Sequence, residues 1–203
     1  VILNGAGVVL SDAIPASAAL AEKLSAPVCC GYQHNDAFPG THPLSVGPLG
    51  YNGSKAAMEL IAKADVILAL GTRLNPFSTL PGYGVDYWPA KAKVIQVDIN
   101  PDRIGLTKKV SVAIQGDAKM VAEQLTETLN PTAGDNGRND RLALIQQTKS
   151  AWLQKLSSMD HEDDDPGTTW NERARDREPL RQHAARAAAV RLRAREHARQ
   201  RQR

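Results

Sequence analysis

The sequence predicts an α/β fold: an open, mostly parallel sheet with helices on both faces. Continuous β-branched or aliphatic runs at residues 66–70 and 94–99, each bounded by turn residues, read as strands buried on both faces. Amphipathic stretches at helical spacing separate such runs, the rhythm that requires crossover connections between parallel strands. Aromatic residues make up only 4% of the chain. That suits a layered core filled by Ala, Val, Ile and Leu rather than a sandwich.

Taken in order, residues 1–3 form a short apolar strand followed by Asn4, Gly5, Ala6 and Gly7. A helix starts near Ser11 or Asp12, either of which can cap it, with Ile14, Ala18, Ala21 and Leu24 on one face. Pro15 is tolerated there because first-turn amides have no intrahelical acceptor. Residues 27–30 read as the second strand, and residues 31–53 as a Gly/Pro-rich loop. A loop that long inside a compact α/β domain is generally a working surface. Asn52 or Ser54 can cap the next helix, whose Ala57, Leu60, Ile61 and Ala64 face inward while Lys55, Glu59 and Lys63 form a charged ladder outside.

After the strands at 66–70 and 94–99, a last strand is expected at 110–114, and then a helix capped by Asp117 that carries Val121, Leu125 and Leu129. Residues 130–139 read as a polar, Gly-containing linker. Residues 140–157 read as a helix striped by Leu142, Ile145, Trp152 and Leu156, and 161–166 as an acidic break. The expected organisation is a sheet domain over 1–129, a connection over 130–179 and a low-complexity tail over 180–203.

Composition narrows the function classes. No apolar run approaches the roughly 18–20 residues needed to cross a bilayer, and no charged segment precedes the first apolar stretch. Adjacent Cys29 and Cys30 are badly placed to bridge one another, which points to a reducing, cytoplasmic setting. The net charge of +3 is uneven. From residue 180 onward there are eight arginines and one acid, Glu196, a net +7; the remainder carries 17 basic and 21 acidic groups, a net −4. An arginine tail permits a nucleic-acid reading through phosphate contacts. Its Ala/Arg/Gln/His wording reads instead as GC-rich DNA translated out of frame. The opening on Val1-Ile2-Leu3 without Met reads as a piece of something longer.

In open α/β sheets, ligands lie beyond the carboxyl ends of the strands, where strand order reverses. The segments expected there are 4–7, 31–53, 71–76 and 98–101, and they are expected to meet in one crevice. Its nucleotide-type candidates are Gly5, Gly7, Gly50, Asn52, Gly53, Gly71, Thr72 and Asp98. His34, Asn35 and Arg73 are candidates for facing an anionic substrate or phosphate, since guanidinium and amide donors match such oxygens. Each has a plainer alternative. Leu10 stands where a dinucleotide fingerprint needs its third glycine, so Gly5-Ala6-Gly7 reads equally as a tight turn. Asp98 reads equally as a turn or cap residue, and Arg73 as the partner of a neighbouring acid. His34 and His42 lack further ligands for zinc, and Asp163-Asp164-Asp165 reads as a solvated turn, so no metal site is expected. Gly116-Asp117 is followed by Ala118 and reads as a helix cap. No Ser/His/Asp or Cys/His arrangement is visible.

Several stretches carry a resemblance: VILNGAG at 1–7, AFPGTHPL at 37–44, GPLGYNG at 47–53, DVILALGTR at 65–73 and VIQVDINP at 94–101. They are similar to the Rossmann-like central domain of thiamine-diphosphate enzymes of the acetohydroxyacid synthase and pyruvate oxidase type. GYQHNDAFPG at 31–40 and TTWNERAR at 168–175 resemble the sulfoacetaldehyde-cleaving branch of that family. The resemblance covers about residues 1–178. It implies the middle domain of an acyltransferase in which sulfoacetaldehyde loses sulfite and its two-carbon unit passes to phosphate as acetyl phosphate. Thiamine diphosphate and Mg²⁺ would supply the carbanion chemistry from sites outside this chain, so the chain alone is expected to be inactive. FAD occupies the equivalent crevice in some relatives and is not expected in this branch; the competing reading is an FAD- or NAD(P)-binding module of the acetolactate synthase kind. The resemblance further implies a homo-oligomer; the apolar runs give no membrane partner to expect, and a nucleic-acid partner is the lesser reading of the tail.

Overall fold

The computed structural model describes residues 1–51, 53–81, 84, 86–130 and 135–162. The chain divides into two compact units, 1–154 and 155–203, and of the second only 155–162 are described, all helical. The first unit is built on six parallel strands: β1 (Ile2–Asn4), β2 (Val28–Cys30), β3 (Ser45–Pro48), β4 (Val66–Leu70), β5 (Lys93–Asp98) and β6 (Val112–Gln115). Their spatial order is β3-β2-β1-β4-β5-β6, so the direction of winding reverses between β1 and β4. This is the doubly wound arrangement expected from the alternating pattern.

The strands at the centre follow from their side chains. Leu3, Val28, Cys29, Ile67, Ala69, Leu70 and Val97 are completely buried. Each large aliphatic side chain removed from water in this way contributes about 1.5–3 kcal/mol before ordering costs. β6 is an edge strand and stays largely exposed. Its expected position, 110–114, is shifted by two residues at its start and one at its end.

β3 lies inside the stretch expected to be loop. Nothing in Ser45-Val46-Gly47-Pro48 alternates or runs aliphatic; it becomes a strand by pairing with β2, through a register shift at Val28/Cys29. An edge position admits Pro48, whose missing donor would disrupt a central strand. The same stretch therefore splits into a loop at 31–44 and a shorter one at 49–54.

Among the described residues there are five α-helices: α1 (Ala6–Leu10), α2 (Ile14–Leu24), α3 (Lys55–Ile61), α4 (Ala118–Thr128) and α5 (Asp135–Glu162). The short α1 was absent from the sequence reading, and it changes the role of Ser11. That residue closes α1, with its hydroxyl donating to the Gly7 carbonyl at 2.7 Å, while Asp12 turns the chain at φ 54° and α2 starts from Ala13 without a side-chain cap. Ser54 caps α3 as expected, accepting from the Ala57 amide at 3.3 Å, and Lys55 meets Glu59 at 3.8 Å on its outer face. Asp117 caps α4, its Oδ1 accepting from the Lys119 and Met120 amides.

α5 starts at Asp135, inside the expected linker. Ile145 is buried at 1% exposure, the Arg141 guanidinium donates to the Leu24 carbonyl at 2.6 Å, and Gln146 and Lys149 both donate to the Pro43 carbonyl. Burial lowers the pKa of Lys149. Of the expected stripe, Leu142 and Ile145 meet the core, whereas Leu156 is exposed. The acidic break after Glu162, Asp163-Asp164-Asp165 and the arginine tail lie outside the described residues, as does Asn52.

Candidate functional site

Side chains at the strand ends first organise the loops that leave them. Asn4, at the end of β1, is completely buried; its amide nitrogen donates to the Ser17 hydroxyl at 2.8 Å and the Ala37 carbonyl at 3.0 Å. It thereby ties α2 and the 31–44 loop to the sheet. Gln96, buried on β5, donates to the carbonyls of Thr72 and Arg103 and accepts from the Gly105 amide. The Thr107 hydroxyl donates to the Leu74 carbonyl at 2.8 Å, beneath a Leu74 held at φ 53°. Such left-handed backbone at a bulky residue costs about 1–2 kcal/mol and persists only where neighbours enforce it.

These fastenings leave a crevice of about 210 Å³ beyond the ends of β1, β2, β4 and β5. Gly7, Gly71, Thr72, Arg73, His34 and Asp98 line it, joined by Gln33, Asn75, Ser78 and Arg103. The crevice straddles the reversal between β1 and β4. Its position follows from topology, because strands wound in opposite directions send their connecting helices to opposite faces there.

The expected candidates thus separate. His34, Gly7, Gly71, Thr72, Arg73 and Asp98 come together. Gly5 lies beside the crevice without lining it, where an added Cβ would meet the Thr72 Cβ at 2.4 Å. Gly50 and Gly53 serve the β3 end: a Cβ on Gly50 would meet the Phe77 carbonyl oxygen at 2.0 Å, and one on Gly53 the Pro48 oxygen at 2.6 Å. Asn35 is exposed on the same loop as His34 but is not among the crevice-lining residues. His42 turns away, bonded through Nε2 to Glu22 at 3.0 Å while its Nδ1 accepts from the Leu44 amide. Arg103 was missed by sequence reasoning. The signal was Pro101, which starts the 3-10 turn Pro101–Arg103 and so bends the chain back toward the sheet end.

The polar groups have distinct duties. Thr72 spends its hydroxyl on the Leu74 amide at 3.2 Å. Asp98 is 6% exposed and accepts from the Asn100 amide through Oδ1 at 2.9 Å, an Asx-type turn. Arg73 and Arg103 are exposed, and among the described residues neither is paired with a carboxylate. The crevice therefore presents two uncommitted guanidinium groups, an imidazole and one carboxylate.

The crevice is small for a dinucleotide. Three of the glycine amides beside it are already used: Gly5 donates to the Leu70 carbonyl at 3.0 Å, Gly7 to Gly71 at 2.8 Å and Gly31 to Asn4 at 2.7 Å. The glycines serve close approach, since a Cβ on Gly7 would lie 2.7 Å from the Gly71 Cα. The volume also falls below the roughly 300–1,000 Å³ of sites that enclose larger ligands. Thiamine diphosphate and its metal do not fit these residues. Among the described residues, no group of three or more His, Cys, Asp or Glu is placed to hold a metal, and Asp117 is committed to capping α4.

Residues 1–125 match the central domain of thiamine pyrophosphate enzymes. The chain is 77% identical over 181 residues to a Rhizobium meliloti protein named a probable sulfoacetaldehyde acetyltransferase, covering 89% of this chain and 31% of that one. It is 74% identical to the sulfoacetaldehyde acetyltransferase of Roseovarius nubinhibens, over 88% of this chain and 30% of the relative. Among solved structures, one titled "a putative thiamin diphosphate-dependent enzyme" from Mycobacterium smegmatis aligns with a TM-score of 0.52 and 28% identity, over 64% of this chain and 24% of that one. The chain spans about 30% of the length of the curated relatives it matches.

Proposed function

We propose that this chain, which belongs to the thiamine pyrophosphate enzyme family as its central domain, is the middle of an acyltransferase that converts sulfoacetaldehyde and phosphate to acetyl phosphate and sulfite. The observation that carries the reading is identity of 74–77% across nearly nine-tenths of the chain to relatives bearing that name. In this reading residues 1–129 are the central domain, 130–179 lead outward, and 180–203 are a low-complexity, arginine-rich tail. Thiamine diphosphate and Mg²⁺ are held by the parts of the enzyme that this chain does not cover. The assembly is a homo-oligomer in the cytoplasm, and no helix among the described residues is long and apolar enough to cross a membrane.

The role of the domain is to hold a rigid sheet end against the rest of the enzyme. His34 and Arg73 face anionic substrate or phosphate from the crevice, and Asn35 does so from the adjoining loop. Donors of this kind are what both sulfonate and phosphate oxygens require. The test uses the intact parent enzyme, loaded with thiamine diphosphate and Mg²⁺ and given sulfoacetaldehyde and phosphate. The expected result is acetyl phosphate and sulfite in equal amounts, with no turnover by the 203-residue chain alone. Acetolactate formation from pyruvate without sulfite release from sulfoacetaldehyde would overturn the reading.

A further inference from the structure

We propose that the crevice is a site for inorganic phosphate, and that Asp98 makes it reject sulfonates. This deepens the reading of the crevice as an anion-facing site and rests on it. Three observations meet here. Arg73 and Arg103 approach from the ends of two neighbouring strands, β4 and β5, and neither guanidinium is paired with a carboxylate among the described residues. Unspent arginines beside a crevice supply the forked donors that bind a tetrahedral oxoanion through two oxygens at once.

The second observation is the carboxylate on the same wall. Asp98 is nine-tenths buried, its Oδ1 is held by the Asn100 amide, and its Oδ2 has no partner among the described residues. A carboxylate accepts hydrogen bonds and cannot donate them. Phosphate near neutral pH keeps a proton on oxygen and can donate it to Oδ2. A sulfonate carries no such proton, so its oxygens meet Asp98 as like charge against like charge, and discrimination arises by repulsion as well as attraction. An enzyme that uses a sulfonate and phosphate together has reason to keep the two apart.

The third observation is size. About 210 Å³ has room for an oxoanion with its hydrating waters and falls below the size of sites that enclose larger ligands, and the Gly5, Gly7 and Gly31 amides are bonded to carbonyls elsewhere. A nucleotide phosphoryl group has the same donor and acceptor chemistry as the free ion, so the experiment separates the two.

Binding of inorganic phosphate, methanesulfonate and AMP to the 203-residue chain is measured by calorimetric titration, a readout independent of the parent enzyme's turnover. Phosphate is expected to bind, with methanesulfonate weaker by roughly ten- to hundredfold. Asp98→Asn retains an oxygen for the Asn100 amide and so keeps the turn, but gains a donor; it is expected to weaken phosphate and strengthen methanesulfonate until the preference disappears. Arg103→Gln, at an exposed position, is expected to weaken phosphate about tenfold while leaving the circular dichroism spectrum unchanged. Equal affinity for the two anions in the wild-type chain, or a preference that survives Asp98→Asn, would overturn the proposal. AMP binding ten times more tightly than phosphate would overturn the free-ion assignment. Phosphate selectivity together with a parent enzyme inactive on sulfoacetaldehyde would leave the site standing and remove only the catalytic reading.

Discussion

Gly71 shows how tightly individual residues are constrained at the sheet end. Its φ of +57° lies in the left-handed region, and a Cβ there would come within 2.8 Å of the Gly7 Cα and the Val8 nitrogen, both backbone atoms that cannot swing aside. Gly105 has a similar φ of +76°, yet a Cβ on it would meet nothing within 4 Å. The pair separates two effects. Gly105→Ala is expected to cost about 1 kcal/mol through backbone conformation alone, and Gly71→Ala about 2–4 kcal/mol, because the β1 and β4 loops must part. Urea unfolding of both variants measures the difference, and equal midpoints would remove the close-approach argument. The same contact explains why two glycines at 5 and 7 read as half a nucleotide fingerprint. Their spacing brings one backbone onto another, and in a sequence that need looks the same as a need to approach a phosphate.

The elements legible in the sequence were those whose signal is their own. β4 is aliphatic throughout, β5 carries Val94, Ile95 and Val97, and both were placed to within a residue, while the caps at Ser54 and Asp117 act locally. What escaped was made by partners. β3 exists because β2 offers it a ladder, and α5 begins among Asp135, Asn136 and Gly137, residues that taken alone read as linker. Its hold on the domain comes later, through Arg141 and Ile145. Ile145→Ala is therefore expected to destabilise the chain by about 2–5 kcal/mol. Leu153→Ala, on the same helix but 58% exposed, should change stability by less than about 0.5 kcal/mol. Denaturation midpoints for the two variants decide it, and equal losses would show that helix propensity rather than docking holds α5. The crevice followed the same division. Thr72, Arg73 and Asp98 were legible because they follow obvious strands, whereas Arg103 depended on a 3-10 turn whose direction only the fold reveals.

At the scale of the molecule the six strands form one sheet, and groups buried in it make its stability depend on pH. Cys29 and Cys30 lie on β2 as free thiols, and burial pushes both up to about 12 from an ordinary value of 9.0. Burial also raises the Tyr87 phenol, whose hydroxyl donates to the Ser78 carbonyl. All three are neutral when protonated, and all three hold their protons more tightly in the folded chain than in the unfolded one. Below pH 9 both states keep these protons, and the stability they support is fully present. Between pH 9 and about 12 the unfolded chain releases thiol protons that the folded chain retains, so stability falls as pH rises, and Tyr87 adds to the slope above its ordinary value of 10.0. Urea titrations at pH 7.5, 9 and 10.5 should show this decline, and a chain carrying Cys29→Ala and Cys30→Ala should show a shallower one even though its stability at pH 7.5 is lower. A slope indifferent to loss of both thiols would mean that the alkaline limit is set elsewhere. The same burial predicts that native Cys29 and Cys30 resist alkylation at pH 8 and react only once urea opens the sheet, because the reactive thiolate is scarce and β2 is covered by its neighbours on both sides.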